Sequence, residues 1–194
     1  MFPLYIMAGG QSRRFGRDKS RALIDGKPLI LHVVESLSDR CARVSVVTDM
    51  AGKYDDLGLR SLADFRPGAG PLAGLERALA DLRPDETWLL MVSCDFVGAQ
   101  AAWLEQLLAK RDEAMADEKH VIAFAKEGRF EPLFALYHGE LLKTVRRRLE
   151  SGQAAMHGLL NAAGLVAVPY PSDWASAVNV NTPEDLRQAT RIRE

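Results

Sequence analysis

The apolar run TWLLMVSCD at residues 87–95 restricts the possible folds more than any other segment of the chain. Its centre, residues 88–92, carries apolar side chains without interruption. A strand of this composition needs cover on both faces, as strands in parallel sheets have. Up to residue 115, predicted strands alternate with amphipathic helices. The sequence therefore predicts an α/β fold in three layers (α/β/α), with a mostly parallel sheet between two layers of helices.

Hydrophobic periodicity and turn residues predict the other elements. In the first half, strands are predicted at 3–8, 44–48 and 59–64, with helices beginning at Pro28 and near Leu72. The second half is less regular, and segments 121–125 and 133–137 around Gly128 predict a hairpin or a longer antiparallel excursion. Further predicted elements are helices near 141–149 and 154–163, strands at 165–168 and 177–180, and a last helix that begins at Thr182-Pro183.

Length and composition narrow the class of protein. The 194 residues suit one domain, 1–194. A net charge of −1 gives no reason to expect nucleic acid or an anionic membrane as a partner. Cys41 and Cys94 are far apart, which argues against a disulfide framework and fits a reducing compartment. No signal-peptide pattern and no apolar run of roughly 18 residues is present, so a cytoplasmic protein is expected.

The segment MAGGQSRRFGRDKS, residues 7–20, follows the first predicted strand. The adjacent Gly9 and Gly10 let a ligand approach the main chain, and Arg14 and Lys19 are among the cations that follow. Both features suit a phosphate chain. A solvated basic loop is the alternative. The spacing matches neither GxxxxGK[ST] nor GxGxxG, so the sequence supports neither a P-loop NTPase nor a dinucleotide-dependent dehydrogenase.

Three candidate features lie at the ends of predicted strands: the Gly9-Gly10 loop, Asp64 and Asp95. Ligands of doubly wound sheets bind beyond the carboxyl ends of the strands, so these features are expected to share one site. Asp95 follows the strongest strand and is interpreted either as a Mg²⁺ ligand or as a cap for the next helix. Neither the four histidines nor Cys94 shows the spacing of a catalytic or metal site.

An ordered set of motifs resembles a known family. Motifs of the molybdenum cofactor guanylyltransferases are similar to five segments of this chain: MAGGQSRRFGRDK at 7–19 and the GKPLI after it, GPLAGL at 70–75, VSCD at 92–95 and VNVNTPEDL at 178–186. The resemblance runs from end to end of the chain. It implies the nucleotide-diphospho-sugar transferase (Rossmann-like) fold and the transfer of GMP from GTP to the terminal phosphate of molybdopterin or Mo-molybdopterin, with release of pyrophosphate.

The resemblance also implies roles for individual positions. Asp95 would bind Mg²⁺ and be required for catalysis, with Lys19 and Arg14 near the phosphates. The positions expected to contact GTP are Met7, Ala8, Gly9, Gly10, Lys19, Asp64 and Asp95, and those expected to contact molybdopterin are Asn179 and Asn181. Residues 1–115 would form a nucleotide-binding half and residues 116–194 an acceptor-binding half. Other enzymes of molybdenum cofactor biosynthesis, or the enzymes that receive the cofactor, are expected as partners.

Other activities remain open at this point. Ala8-Gly9-Gly10 favours the guanylyl branch over a cytidylyltransferase that acts on the same pterin. VVTDM at 46–50 has Asp49 where the family often has Asn, and the predicted base or ribose contact depends on that position. A sugar-1-phosphate nucleotidyltransferase is the next alternative. A non-catalytic nucleotide-binding regulator is the alternative of another class, and the presence of both Lys19 and Asp95 argues against it.

Overall fold

The computed structural model describes residues 2–9, 18–182 and 184–185. Its strands are β1 (Pro3–Met7), β2 (Leu23–Ile24), β3 (Lys27–Pro28), β4 (Arg43–Thr48), β5 (Ser61–Ala63), β6 (Trp88–Ser93), β7 (Phe96–Val97), β8 (Val121–Lys126), β9 (Arg129–His138), β10 (Leu165–Val168) and β11 (Val178–Asn179). Its α-helices are α1 (Leu29–Leu37), α2 (Pro71–Leu79), α3 (Ala101–Leu108), α4 (Arg111–Ala116), α5 (Leu141–Glu150) and α6 (Met156–Ala163).

A seven-stranded sheet in the order β10-β8-β9-β6-β1-β4-β5 forms the centre of the described fold. All neighbouring pairs that exclude β9 are parallel, while β9 runs antiparallel to both β6 and β8. The tight turn between β8 and β9 confirms the predicted hairpin. The predicted three-layer fold with a mostly parallel sheet is likewise confirmed.

Successive side chains of the central strand β1 point into two different cores. Leu4 and Ile6 belong to one core, together with apolar residues of α1, α3 and α4. Tyr5 and Met7 belong to the other core, which contains apolar residues of α2, α5 and α6. Period-two alternation in the strand therefore separates the helices into two layers, one on each face of the sheet. Among the described helices, none is long and apolar enough to cross a membrane.

The structure corrects the boundaries of the strongest predicted strand. The apolar run was expected to remain extended through residue 95, but β6 ends at Ser93, and Cys94 and Asp95 form a turn. After this turn, β7 pairs antiparallel with β11 in a separate two-stranded sheet that the sequence analysis did not predict. A third, small core of Ile24, Leu29, Val97 and Val180 lies beneath these short strands. Through this core, Val180 near the end of the described residues packs against the β2-β3 hairpin.

Candidate active site

The carboxyl ends of β1, β4 and β6 meet at one edge of the sheet. Met7 is in register with Val47 on one side and with Ser93 on the other. A cleft of about 430 Å³ opens at this edge. Its lining includes Met7, Gly9, Val47, Thr48, Asp49, Asp64, Pro67, Gly68, Gly70, Pro71, Ser93 and Leu133. Of the three strand-end features predicted to share one site, Gly9 of the glycine loop and Asp64 line this cleft.

The GPLAGL segment shapes one wall of this cleft. Gly70 has φ of 84°, a left-handed conformation that favours glycine, and it turns the chain into α2. A Cβ atom on Gly74 would come within 1.8 Å of the terminal methyl group of Met7, so glycine at this position leaves room for the Met7 side chain against α2. The N terminus of α2 begins at Pro71, in the cleft wall, without a side-chain cap. A helix N terminus in this position favours an anionic group in the cleft.

Beside the cleft, Lys19, Asp95 and Asn181 form a polar cluster. The ammonium group of Lys19 donates a hydrogen bond to the carboxylate of Asp95 and another, of 3.0 Å, to Oδ1 of Asn181. Asp95 is 9% exposed and also accepts a hydrogen bond from the hydroxyl group of Ser93, which lines the cleft. Three segments distant in sequence thus bring a cation, a carboxylate and an amide to one place.

A hydrogen-bonded turn fixes the position of Lys19. Asp18 caps the 3₁₀ turn Lys19–Arg21 by accepting hydrogen bonds from the backbone N–H and the hydroxyl group of Ser20. The buried Tyr54 donates a hydrogen bond of 2.9 Å to the other oxygen of Asp18. Burial alone would raise the pKa of Asp18, but hydrogen bonds from Ser20 and Tyr54 outweigh burial and lower it. Asp18 is therefore an ionised anchor for the lysine turn.

The two asparagines differ in their surroundings. Along residues 178–181 the valines face the small core while Asn179 and Asn181 are exposed, as the predicted alternation requires. The backbone N–H of Val180 donates to the carbonyl oxygen of Asp95 at 2.9 Å, which brings Asn181 to Lys19. The cap at Thr182 uses the backbone N–H of Asn181, which donates to Asp185 at 2.8 Å. The side-chain amide of Asn181 thus contacts Lys19 and takes no part in the cap.

Two further carboxylates lie at the cleft. Asp64 is half-buried, and burial raises its pKa although its carboxylate accepts a hydrogen bond from the backbone N–H of Arg66. Asp49 accepts hydrogen bonds from Lys53 and Thr48, which lower its pKa. A carboxylate at position 49 can accept hydrogen bonds from a base or ribose but cannot donate them, which distinguishes it from an asparagine.

Several sequence-based assignments can now be compared with the structure. The interpretation of Asp95 as a helix cap is wrong, because β7 follows it and α3 begins only at Ala101. Ala8 is buried, and the cleft lining does not include it. Gly10 and Arg14 lie outside the described residues. Burial raises the pKa of Cys94 to about 12, so its thiol stays protonated and is a poor nucleophile.

Sequence reasoning missed the residues that support the cluster. Ser93 was noticed only as part of a strand, and Tyr54 was not singled out at all. Glu131 in β9 was also overlooked: burial raises the pKa of this carboxyl group, and the charge of Asp95 raises it further. The position of Asp95 at a strand end indicated that other polar residues would lie near it. Sequence spacing, however, does not connect Asp95 to Tyr54 or Glu131.

Comparison with known proteins finds a nucleotidyltransferase family and relatives that match most of the chain. The family model described as "MobA-like NTP transferase domain" matches residues 4–166. A probable molybdenum cofactor guanylyltransferase from Deinococcus radiodurans is 36% identical over 190 residues, covering 97% of this chain and 94% of that protein. Another from Opitutus terrae is 33% identical over 194 residues, covering 96% and 93%.

A solved structure shares the fold. The molybdopterin-guanine dinucleotide biosynthesis protein A from Archaeoglobus fulgidus superposes with a TM-score of 0.81 at 23% identity, covering 99% of this chain and 98% of that one. The fold and the site, together with these matches, define a nucleotidyltransferase of the nucleotide-diphospho-sugar transferase fold. Within that class, the chain belongs to the MobA-like NTP transferase family, among the molybdenum cofactor guanylyltransferases.

Proposed function

We propose that this protein transfers GMP from GTP to the terminal phosphate of molybdopterin or Mo-molybdopterin and releases pyrophosphate. One observation carries the proposal: Lys19, Asp95 and Asn181 converge beside a cleft at the carboxyl edge of the sheet, in a chain of the guanylyltransferase family. The cleft offers room and a helix N terminus, and the cluster offers a cation and a carboxylate. These are the groups that phosphoryl-group chemistry requires.

The donor atoms of the cluster fit Mg²⁺. Asp95 supplies a nearly buried carboxylate, and the hydroxyl oxygen of Ser93 lies beside it. Hard oxygen ligands are the ones Mg²⁺ prefers, and one carboxylate with substrate phosphates is a usual set. We therefore propose Asp95 as the protein ligand, with Mg²⁺ supplying charge neutralisation on the triphosphate. Lys19 contacts the carboxylate and would turn to the phosphates when GTP binds.

The chain's own residues would act by positioning and by charge. The attacking phosphate monoester is already largely dianionic near neutral pH, because its second pKa is about 6, so the reaction needs no general base. Lys19 would hold the phosphates as a point charge, with Asp18 and Tyr54 keeping its turn in place. Met7, Ala8, Gly9, Gly10 and Asp64 would contact the nucleotide, with Arg14 near the phosphates.

The acceptor side of the proposal concerns Asn179 and Asn181. Their exposed amides provide donors and acceptors for a pterin ring or its phosphate. We propose that residues 116–194 form the acceptor-binding half and residues 1–115 the nucleotide-binding half. We also propose that the protein is cytoplasmic, where it has access to GTP. Other enzymes of molybdenum cofactor biosynthesis would be its partners and would supply the pterin.

A nucleotide-specificity assay tests the proposal. The purified chain is supplied with molybdopterin, Mg²⁺ and either GTP or CTP, and the release of pyrophosphate is measured. The proposal expects release with GTP well above release with CTP, and none without the pterin. Release with CTP alone would identify a cytidylyltransferase, and release with a sugar 1-phosphate in place of the pterin would identify the other alternative. A chain that binds GTP but releases no pyrophosphate with any acceptor would be a nucleotide-binding regulator.

A further inference from the structure

Two histidines and a glutamate meet at the end of the sheet opposite the active site, where the parallel strands begin. His120 precedes β8, His138 ends β9, and Glu140 precedes α5. One ligand atom from each lies within 4.8 Å of the corresponding atoms of the other two. His138 is in register with Trp88, the first residue of β6, whereas Ser93 ends that strand next to Asp95. Five residues of strand, about 16 Å, therefore separate this group from the active site.

The backbone holds the three residues in a fixed arrangement. The N–H of His138 donates to the carbonyl oxygen of His120 at 3.0 Å, which continues the β8-β9 pairing. The ring of His138 packs edge-on against Trp88, and the two histidine rings lie 5.3 Å apart between centroids. Nε2 of His120 lies 3.0 Å from Oε2 of Glu140. These contacts hold the two histidines together before any ligand arrives, which reduces the entropy cost of binding.

The side chains are also accessible to an ion from solvent. A histidine binds a metal through the lone pair of a neutral ring. Nδ1 of His138 accepts a long hydrogen bond of 3.4 Å from the backbone N–H of Glu140, which a metal ion bound at that nitrogen would replace. Glu140 is exposed and His120 is partly exposed, so an ion can enter from solvent.

We propose that His120, His138 and Glu140 form a binding site for a zinc-class divalent transition metal. Two imidazoles and a carboxylate, with a fourth position open to water, are a ligand set suited to Zn²⁺ and unsuited to Mg²⁺, which prefers oxygen ligands throughout. Ligand atoms 2.0–2.2 Å from one ion would be about 3.4 Å apart in a tetrahedron. The present separations are within 4.8 Å, so the side chains would move closer together around the ion. The ion would join β8, β9 and α5.

Titration of the tag-free, chelator-treated protein with ZnCl₂ in excess Mg²⁺ tests the proposal by calorimetry. One saturable site is expected, and zinc should raise the melting temperature by mass action. His120→Ala and Glu140→Gln should each weaken binding by more than about tenfold, the smallest loss typical of substitutions near a metal. His138 is left intact because its ring packs on Trp88.

Two control variants separate this site from other sources of binding. His157→Ala removes a histidine that packs on Phe130, away from the group, and should leave zinc affinity unchanged. Asp95→Asn should also leave it unchanged. The proposal is overturned if no saturable binding occurs, or if His120→Ala and Glu140→Gln bind zinc as the wild type does. Loss of binding in Asp95→Asn with retention in Glu140→Gln would likewise overturn it, by placing the ion in the nucleotide site.

Discussion

The ammonium group of Lys19 donates a hydrogen bond to the carboxylate of Asp95, although 76 residues separate them along the chain. Their side chains are 17% and 12% exposed, so this pair is shielded from most of the solvent. When GTP and a divalent ion bind, Lys19 can turn from the carboxylate to the phosphates, and Asp95 can turn from the ammonium group to the ion. Each of the two residues can be tested separately.

Replacement of Asp95 by asparagine is expected to abolish most turnover. The amide keeps the size of the side chain but loses the charge that Mg²⁺ needs, and a loss of about 100-fold or more in kcat is expected, as for other electrostatic groups. The fold should survive because Asp95 lies in a turn after β6. Pyrophosphate release with GTP and molybdopterin measures the effect. Asp117→Asn, in an exposed pair with Lys119, is the matched control and should keep full activity. Normal turnover in Asp95→Asn would contradict its assignment.

Replacement of Lys19 by alanine is expected to weaken GTP binding. A charge-assisted hydrogen bond contributes roughly 1.5–3 kcal/mol, so the dissociation constant should rise about 10-fold to 150-fold. Calorimetry with GTP measures this change. Lys110→Ala removes a surface lysine paired with Glu113 and serves as the control. Unchanged GTP affinity in Lys19→Ala would indicate that the loop is only a solvated basic segment.

Replacement of Asn181 by alanine is expected to impair the use of molybdopterin while GTP affinity and the melting temperature change little. Stability should be retained because the cap at Thr182 uses the backbone N–H of Asn181 and not its amide. Direct binding of each ligand, measured on folded protein, tests this expectation. As a contrast, Asp185→Ala removes the carboxylate that accepts the backbone hydrogen bonds of the cap and should lower the melting temperature. Equal loss of GTP binding, pterin binding and stability in Asn181→Ala would indicate a folding role instead.

Asp81, far from the cleft, should make stability depend on pH. Burial opposes its ionisation, but hydrogen bonds from Arg60, Tyr5 and Arg43 outweigh burial and lower its pKa from 3.8 to about 2. A depressed pKa means that the stabilisation is complete above about pH 4 and is lost as the pH falls toward 2. The full effect is about 2 kcal/mol. Urea unfolding should find wild type more stable than Asp81→Asn at pH 6, with a smaller difference at pH 2.5. A difference independent of pH would contradict this account.

The alternation of apolar segments was sufficient to predict the layers of the fold. Leu4 and Ile6 point to one core and Tyr5 and Met7 to the other, because side chains alternate along any strand. The same local pattern could not predict that β7 and β11 pair. Each is only two residues long, so its pairing depends on tertiary packing around Val97 and Val180 rather than on its own periodicity.

The site was predictable only where it coincides with strand ends. Topology brings Gly9, Asp64 and Ser93 to one edge, and this follows from a parallel sheet alone. The contact of Lys19 with Asn181 depends on how the chain returns after 162 residues, which no spacing rule encodes. The meeting of His120 with His138 and Glu140 depends on the register between β8 and β9, and the sequence suggested only that a hairpin exists.

Transfer of labelled phosphate tests the central claim most directly. The chain is incubated with molybdopterin, Mg²⁺ and GTP that carries radioactive phosphorus at either the α or the γ position. Guanylyl transfer predicts that the α label appears in a pterin-guanine dinucleotide, while the γ label appears in pyrophosphate. Transfer of the γ label to the pterin, or retention of both labels in GTP while the protein is folded and binds both substrates, would contradict the proposed function.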